Sequence, residues 1–197
     1  MHSIHKPDDT LALLKQPAVE VAPQILGWEL RRTLGNTVIR ARIVETEAYY
    51  QDDAASHSFR GVTPRTEIMF DKSGRLYVYF TYGMHYCANI VCGEESRGEA
   101  VLIRALEPIE GIERMRVNRG QIHTDFQLTN GPAKLCQALQ IDKQLNGHNL
   151  LLPPLLLIPH TLSLHEEIIT TTRVGISRAK DALLRFYIAN NPYVSRS

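Results

Sequence analysis

The chain lacks the marks of membrane, secreted and disulfide-stapled proteins. Its longest apolar stretch, Leu150 to Ile158, is interrupted by Pro153 and Pro154 and is too short to cross a bilayer. Residues Met1 to Asp9 hold no continuous apolar segment of the signal-peptide kind, so no membrane association and a cytoplasmic location are expected. Cysteine is scarce: Cys87, Cys92 and Cys136 form an odd set with no C-x-x-C pair, which argues against a disulfide framework or a zinc site. Charge of one sign is also lacking, since 22 basic residues meet 21 acidic ones, and that excludes a highly basic nucleic-acid coat. The phosphate-loop, nucleophile-elbow, zinc-protease and dinucleotide-binding fingerprints are all missing. His165-Glu166 is not followed by the second histidine that metal-dependent proteolysis needs. No metal and no cofactor are therefore expected.

What remains is a chain of 197 residues, 44% hydrophobic and 22% charged, which suits one globular unit spanning residues 1–197 with about the first sixteen untethered. The spacing of Val19, Ala22, Ile25 and Leu26 predicts a short helix ending near Gly27, with Pro23 tolerable only in its first turns. Trp28 to Leu34 and Thr37 to Tyr49 read as strands around a compact Gly35-Asn36 turn. Leu76 to Phe80, His85 to Cys92 and Glu99 to Leu106 follow as further strands, and Ile168 to Ile176 and Leu184 to Ala189 as two more. Helical patterns cover Pro108 to Val117 and Pro132 to Leu139. Consecutive strands of this kind predict an α+β fold, a single mixed domain with a curved, mainly antiparallel sheet surrounded by short helices.

The chemistry concentrates between residues 43 and 86. Along the second strand, Ile43, Glu45, Glu47 and Tyr49 alternate with Val44, Thr46 and Ala48, so regular pleating puts both carboxylates and the ring on one face with Ile43. Six of the eight tyrosines (Tyr49, Tyr50, Tyr77, Tyr79, Tyr82 and Tyr86) fall here, with His57 in a long irregular connection between them. A partly desolvated glutamate has the basicity to take a proton from attacking water, with Glu47 the better candidate and Glu45 in reserve. On the strand pattern alone, an exposed ion pair to Arg40, Arg42 or Arg104 competes and leads. Core packing likewise competes for the tyrosines, least well for Tyr82 beside Gly83 at a turn.

Several segments then carry a resemblance. Val44-Glu45-Thr46-Glu47-Ala48-Tyr49, Met69-Phe70, Leu76-Tyr77-Val78-Tyr79, Tyr82-Gly83-Met84, Leu102 to Pro108 and Gly131 to Leu139 occur in the order found in alkyladenine (3-methyladenine) DNA glycosylases. The resemblance runs from the Leu26-Gly27 region to Arg185-Phe186. It implies that Glu47 activates water with Arg104 helping to hold it, and that Tyr49, His57 and Tyr79 form the base pocket, with Asn89 and Leu102 in its wall. It further assigns Tyr82 to the gap left in the duplex and Met69 to a DNA-facing loop. Leu183 stands where a proline is common in the family, and the stretch from Tyr49 to His57 is slightly shorter than in mammalian members. The implied enzyme is a monomer that flips damaged purines out of double-stranded DNA and hydrolyses the glycosidic bond. Two other readings of the same residues are a nucleic-acid module that stacks bases without chemistry, and a hydrolase of free nucleosides using Glu45 and Glu47 as a pair.

Overall fold

The computed structural model describes residues 7–81, 84–120, 122 and 124–195. The described helices are α1 (Pro7–Leu14), α2 (Ala18–Gln24), α3 (Ile112–Asn118) and α4 (Pro132–Ala138). The strands are β1 (Glu29–Leu34), β2 (Thr37–Tyr49), β3 (Leu76–Thr81), β4 (His85–Val91), β5 (Ala100–Glu110), β6 (Leu155–Ile158), β7 (Ile168–Thr171) and β8 (Arg185–Ile188). They build one antiparallel sheet in the order β3-β4-β5-β2-β1-β6, which curls into a half-barrel. Strand β2 gives one edge to β5 and divides the other between β1, over Thr37 to Arg42, and β8, over Glu45 to Glu47. The α+β expectation holds, and no described helix is long and apolar enough to cross a membrane.

One face of the sheet is apolar and carries the helices. Leu76 and Val78 of β3, Ala88 and Ile90 of β4, Val101 and Ile103 of β5, and Val44 and Ala48 of β2 join Val21 and Ala22 of α2, Ile25 just after it, and Leu135 and Cys136 of α4 in one buried core. Helix α2 starts after Pro17 without a side-chain cap of its own, and the Glu99 carboxylate accepts from the Ala18 N–H at 2.7 Å instead. A negative group at this end satisfies an orphan donor and opposes the helix dipole. Gly111, at φ +76°, lets β5 pass into α3 where a Cβ would stand 2.6 Å from the Val38 carbonyl.

Several expectations need correction. Pro23 sits in the last turn of α2, not its first; the bond it deletes would have reached back to Val19, which is exposed and open to water. Pro108 belongs to β5, not to a helix. β4 pairs only with Ala100 to Leu102 of β5, so beyond them that edge of β5 is free of a strand and a residue without an N–H costs little. Part of the segment expected to be untethered is packed, since Thr10 and Leu14 are buried and the Leu14 carbonyl accepts from Gly93 N–H. β6 comes from the proline-containing apolar run after Leu150, and the strand expected over Ile168 to Ile176 stops at Thr171.

The long connection between β2 and β3 is shaped by two 3-10 turns, His57–Arg60 and Glu67–Phe70. It docks on the turn before β5 through Ser58, whose hydroxyl donates to the Gly98 carbonyl at 2.7 Å. A Cβ on Gly98 would lie 2.5 Å from Ser58 Cβ and 2.7 Å from Phe70 Cζ. Gly98→Ala is therefore expected to cost about 1–3 kcal/mol through overpacking. Equilibrium urea unfolding measures it, and an unchanged midpoint would refute the docking role of this glycine.

Candidate active site

The site begins with an irregularity in β2. Ile39, Ala41 and Ile43 belong to the helix-covered core, and so do Val44 and Ala48, so the core-facing positions change from odd to even between Ile43 and Val44. The ladder skips one residue there, pairing Ile43 with Leu106 and Glu45 with Ala105. A second skip in β5 passes over Arg104, and Thr46 pairs with Ile103. These bulges turn Glu45, Glu47 and Tyr49 to the face opposite Ile43, correcting the regular-pleat expectation, and aim Arg104 the same way. The register then lays a row across the sheet: Tyr77 opposite Asn89, Asn89 opposite Leu102, Leu102 opposite Glu47, and Glu47 opposite Arg185.

Both carboxylates are fully buried, and their partners separate them. Glu45 is saturated: it accepts from Arg104 Nε at 3.1 Å, Arg185 Nε at 2.7 Å, and the backbone N–H and hydroxyl of Ser195 at 2.7 and 2.9 Å. Glu47 accepts from Val174 N–H at 2.8 Å on Oε1 and from the Tyr49 hydroxyl at 2.7 Å on Oε2, while Arg104 Nη1 lies 3.3 Å from Oε1. Burial works against the Arg104 charge, but Glu47 and Glu45 together outweigh it and raise its pKa. Burial, then the Glu47 charge, raises the Tyr49 phenol and keeps it protonated as a donor.

The three groups that hold Glu47 line a cavity of about 700 Å³, within the size range of small-molecule sites. Of the residues singled out from sequence, Tyr49, His57, Met69, Tyr79, Asn89, Leu102 and Arg104 all line it, with Glu47 directly behind the wall. His57 Nδ1 is 3.1 Å from the Tyr77 hydroxyl, and its ring stands edge-on to Tyr79 with centroids 4.5 Å apart. Asn89 Nδ2 donates to the Tyr77 carbonyl at 3.1 Å. Met69 is buried with Tyr77, Val91 and Ala100, lining the cavity and not standing out from the surface. Tyr82 lies outside the described residues. The wall is basic: Arg60, Arg65, Arg104 and Arg178 line it, and no carboxylate does among the described residues. Among the described residues, no group of three or more His, Cys, Asp or Glu side chains is placed to hold a metal ion.

Sequence reading missed Val174, Arg185 and Ser195. The Val174 contribution is a backbone N–H, which every residue except proline offers, so side-chain identity gave no signal for it. Arg185 and Ser195 meet Glu45 across 140 and 150 residues of chain. Tyr77, given no site role of its own from sequence, lies within hydrogen-bond distance of His57.

Comparison with known proteins identifies the family. Residues 12–192 match the family described as Methylpurine-DNA glycosylase (MPG). A protein of Carboxydothermus hydrogenoformans named "Putative 3-methyladenine DNA glycosylase" is 50% identical over 177 residues, covering 89% of this chain and 92% of its own. Proteins of the same name from Francisella tularensis and Agrobacterium fabrum are 46% and 42% identical, covering 94% and 100% of this chain and 97% and 96% of theirs. The chain belongs to the methylpurine-DNA glycosylase family. By that membership it is a DNA glycosylase, a hydrolase of N-glycosyl bonds.

Two measurements test the electrostatics. Glu45→Ala leaves Arg104 and Arg185 buried without their shared anion, and breaking such a pair costs about 3–5 kcal/mol. A denaturation midpoint equal to wild type would contradict this. His57 keeps solvent contact along one side, yet the protein packed around its ring, and then the charge of Arg65, lower its pKa from 6.5 to about 4. The folded state thus resists a proton that the unfolded chain accepts, so this contribution to stability is lost as the pH falls from 6.5 toward 4. The imidazole resonances should titrate near the lower value in NMR, and a midpoint at 6 or above (roughly the ordinary histidine range) would contradict the lowering.

Proposed function

We propose that the protein, acting as a monomer on duplex DNA, excises alkylated purines of the 3-methyladenine and 7-methylguanine type, with hypoxanthine and ethenoadenine as further substrates. The observation that carries this reading is the setting of Glu47: a buried carboxylate held on both oxygens by groups that line an aromatic cavity. A carboxylate offers about four acceptor positions. The Val174 N–H and the Tyr49 hydroxyl occupy one position on each oxygen and the Arg104 charge lies beside Oε1, which leaves the second position on Oε2 for a water molecule. Glu47 is the base in this reading, and Arg104 fixes both its oxygen and the charge balance beside it.

The target bond is buried in a duplex, so the nucleotide must rotate out of the stack at a cost on the order of a few kcal/mol. Stacking is worth roughly 1–3 kcal/mol per base, and Tyr49 and Tyr79 supply the surfaces, with Tyr82 assigned by resemblance to the space left behind. Asn89 and Leu102 bound the base pocket and bear on which purines enter. Exposed Arg60, Arg65 and Arg178 at the cavity suit phosphate contacts, which orient DNA without reading its sequence. As water adds to the anomeric carbon, its proton passes to Glu47, and the glycosidic electron pair leaves with the purine. The Glu47 charge stabilises the oxocarbenium-like sugar between these events. Free base and an abasic site are the products.

Glu47→Gln removes the base while keeping the shape of the side chain. It should lower single-turnover release of base from methylated duplex DNA by about 10²–10⁴-fold. Undiminished release would reject the assignment, and release from free nucleosides at the rate seen with duplex would replace DNA as the substrate.

A further inference from the structure

We infer that Arg173 is a positioning residue for the water-activating group, acting through Tyr49 and Val174; this rests on the reading of Glu47 as the base. Its side chain is fully buried between the segment after β7 and the segment after β2. Nη1 donates to the Ala48 carbonyl at 2.9 Å and to Asp53, and Nη2 donates to the other Asp53 oxygen at 3.0 Å. The guanidinium carbon lies 4.6 Å from the centroid of the Tyr49 ring, within cation–π range.

A plain structural ion pair does not account for this arrangement. Nε is buried with no acceptor among the described residues, although a guanidinium used only to neutralise Asp53 has no reason to strand a donor. A lysine would pair with Asp53 and strand nothing of the kind, but it has no flat face to lay against a ring. The orientation follows the ring.

The two consequences converge on Glu47. The Tyr49 hydroxyl donates to Oε2, and the N–H of Val174, the residue bonded to Arg173, donates to Oε1. One guanidinium therefore fixes a donor to each oxygen, from opposite sides of the chain, and Arg104 supplies the remaining contact. Displacing Arg173 moves the ring and the peptide together and misdirects the open lone pair of Oε2. It touches neither the base nor the reacting carbon in this scheme.

The test uses the full chain and duplex DNA carrying 7-methylguanine. Arg173→Lys, which keeps the charge beside Asp53, should lower single-turnover base release by about 10–100-fold, the scale of a small misplacement at a reacting centre. Affinity for the methylated duplex should fall by much less than the rate, because Tyr79 and the arginines at the cavity mouth are left in place. In a Tyr49→Leu background the same substitution should cost clearly less, because the route through the ring is already cut. Asp53→Asn loosens the guanidinium while leaving every group that touches Glu47 in the chain, and it should lower the rate in the same direction if Arg173→Lys fails to fold. A wild-type rate in both variants overturns the proposal. So does a rate loss matched by an equal loss of affinity, or a loss independent of the Tyr49 ring. Glu47→Gln run in parallel separates the two readings: an inactive Glu47→Gln beside a fully active Arg173→Lys removes this inference alone, whereas an active Glu47→Gln removes both.

Discussion

The site depends on a change of parity in the middle of one strand. Up to Ile43 the odd residues of β2 face the helices, and from Val44 onward the even ones do. Without the extra residue, Glu45 and Glu47 would point into the apolar layer under α2, where an ionised carboxylate has no partners and a large desolvation cost. With it, both reach the opposite face and meet Arg104, itself delivered by a compensating bulge in β5. The compensation matters, because Ile43 with Leu106 and Thr46 with Ile103 then keep one register on both sides of the irregularity. The core remains continuous across it, with Thr46 accommodated by donating to the Ala22 carbonyl at 2.8 Å.

Charge balance decides what each carboxylate is free to do. Glu45 and Glu47 face Arg104 and Arg185, two negative and two positive groups, all buried. Such a cluster is weak evidence for stability, since desolvation offsets most of the attraction. Its value lies in the distribution. Arg185 and Ser195 supply three of the four donors to Glu45, so Arg104 gives it only Nε and another nitrogen extends toward Glu47. A paired but unsaturated carboxylate is what general-base chemistry needs, and a saturated neighbour is what holds its arginine still. In the proposed mechanism the same side-chain type, two residues apart, serves two roles because Glu45 has four protein donors and Glu47 fewer.

Most strands were legible as short runs rich in β-branched and aromatic residues between turn signals, and the Gly35-Asn36 turn fixed the first hairpin. The bulges were not legible, since a bulge is a property of two strands in register and Thr37 to Tyr49 alone reads as regular. Ile43 was consequently assigned to the wrong face. Ion pairs separated by more than a hundred residues, such as Glu45 with Arg185 and Asp53 with Arg173, leave no local pattern either. The residues named around the cavity owe their selection to the family resemblance, since strand pattern alone left Glu47 in an ion-pair reading. That reading was partly right in its chemistry: Glu47 does face Arg104, but both are buried against the cavity and not on an exposed strand.

The cavity wall also constrains which departing bases need help. A burial-depressed His57 is neutral near pH 7 and offers no imidazolium proton, the phenols of Tyr49 and Tyr79 are pushed upward by burial, and burial likewise raises the Cys87 thiol. The guanidinium groups hold their protons too tightly to act as acids. On the proposed mechanism the site therefore contains a base for water and, among the described wall residues, no group tuned to protonate a purine. A purine alkylated at N3 or N7 carries its own positive charge and accepts the glycosidic electron pair without such assistance. A neutral purine must instead draw on hydrogen bonds that strengthen as negative charge develops on it, from donors such as Arg60, Arg65 and Arg178. Selection for charged lesions can thus arise from acid groups the cavity lacks as much as from the aromatic surfaces it has.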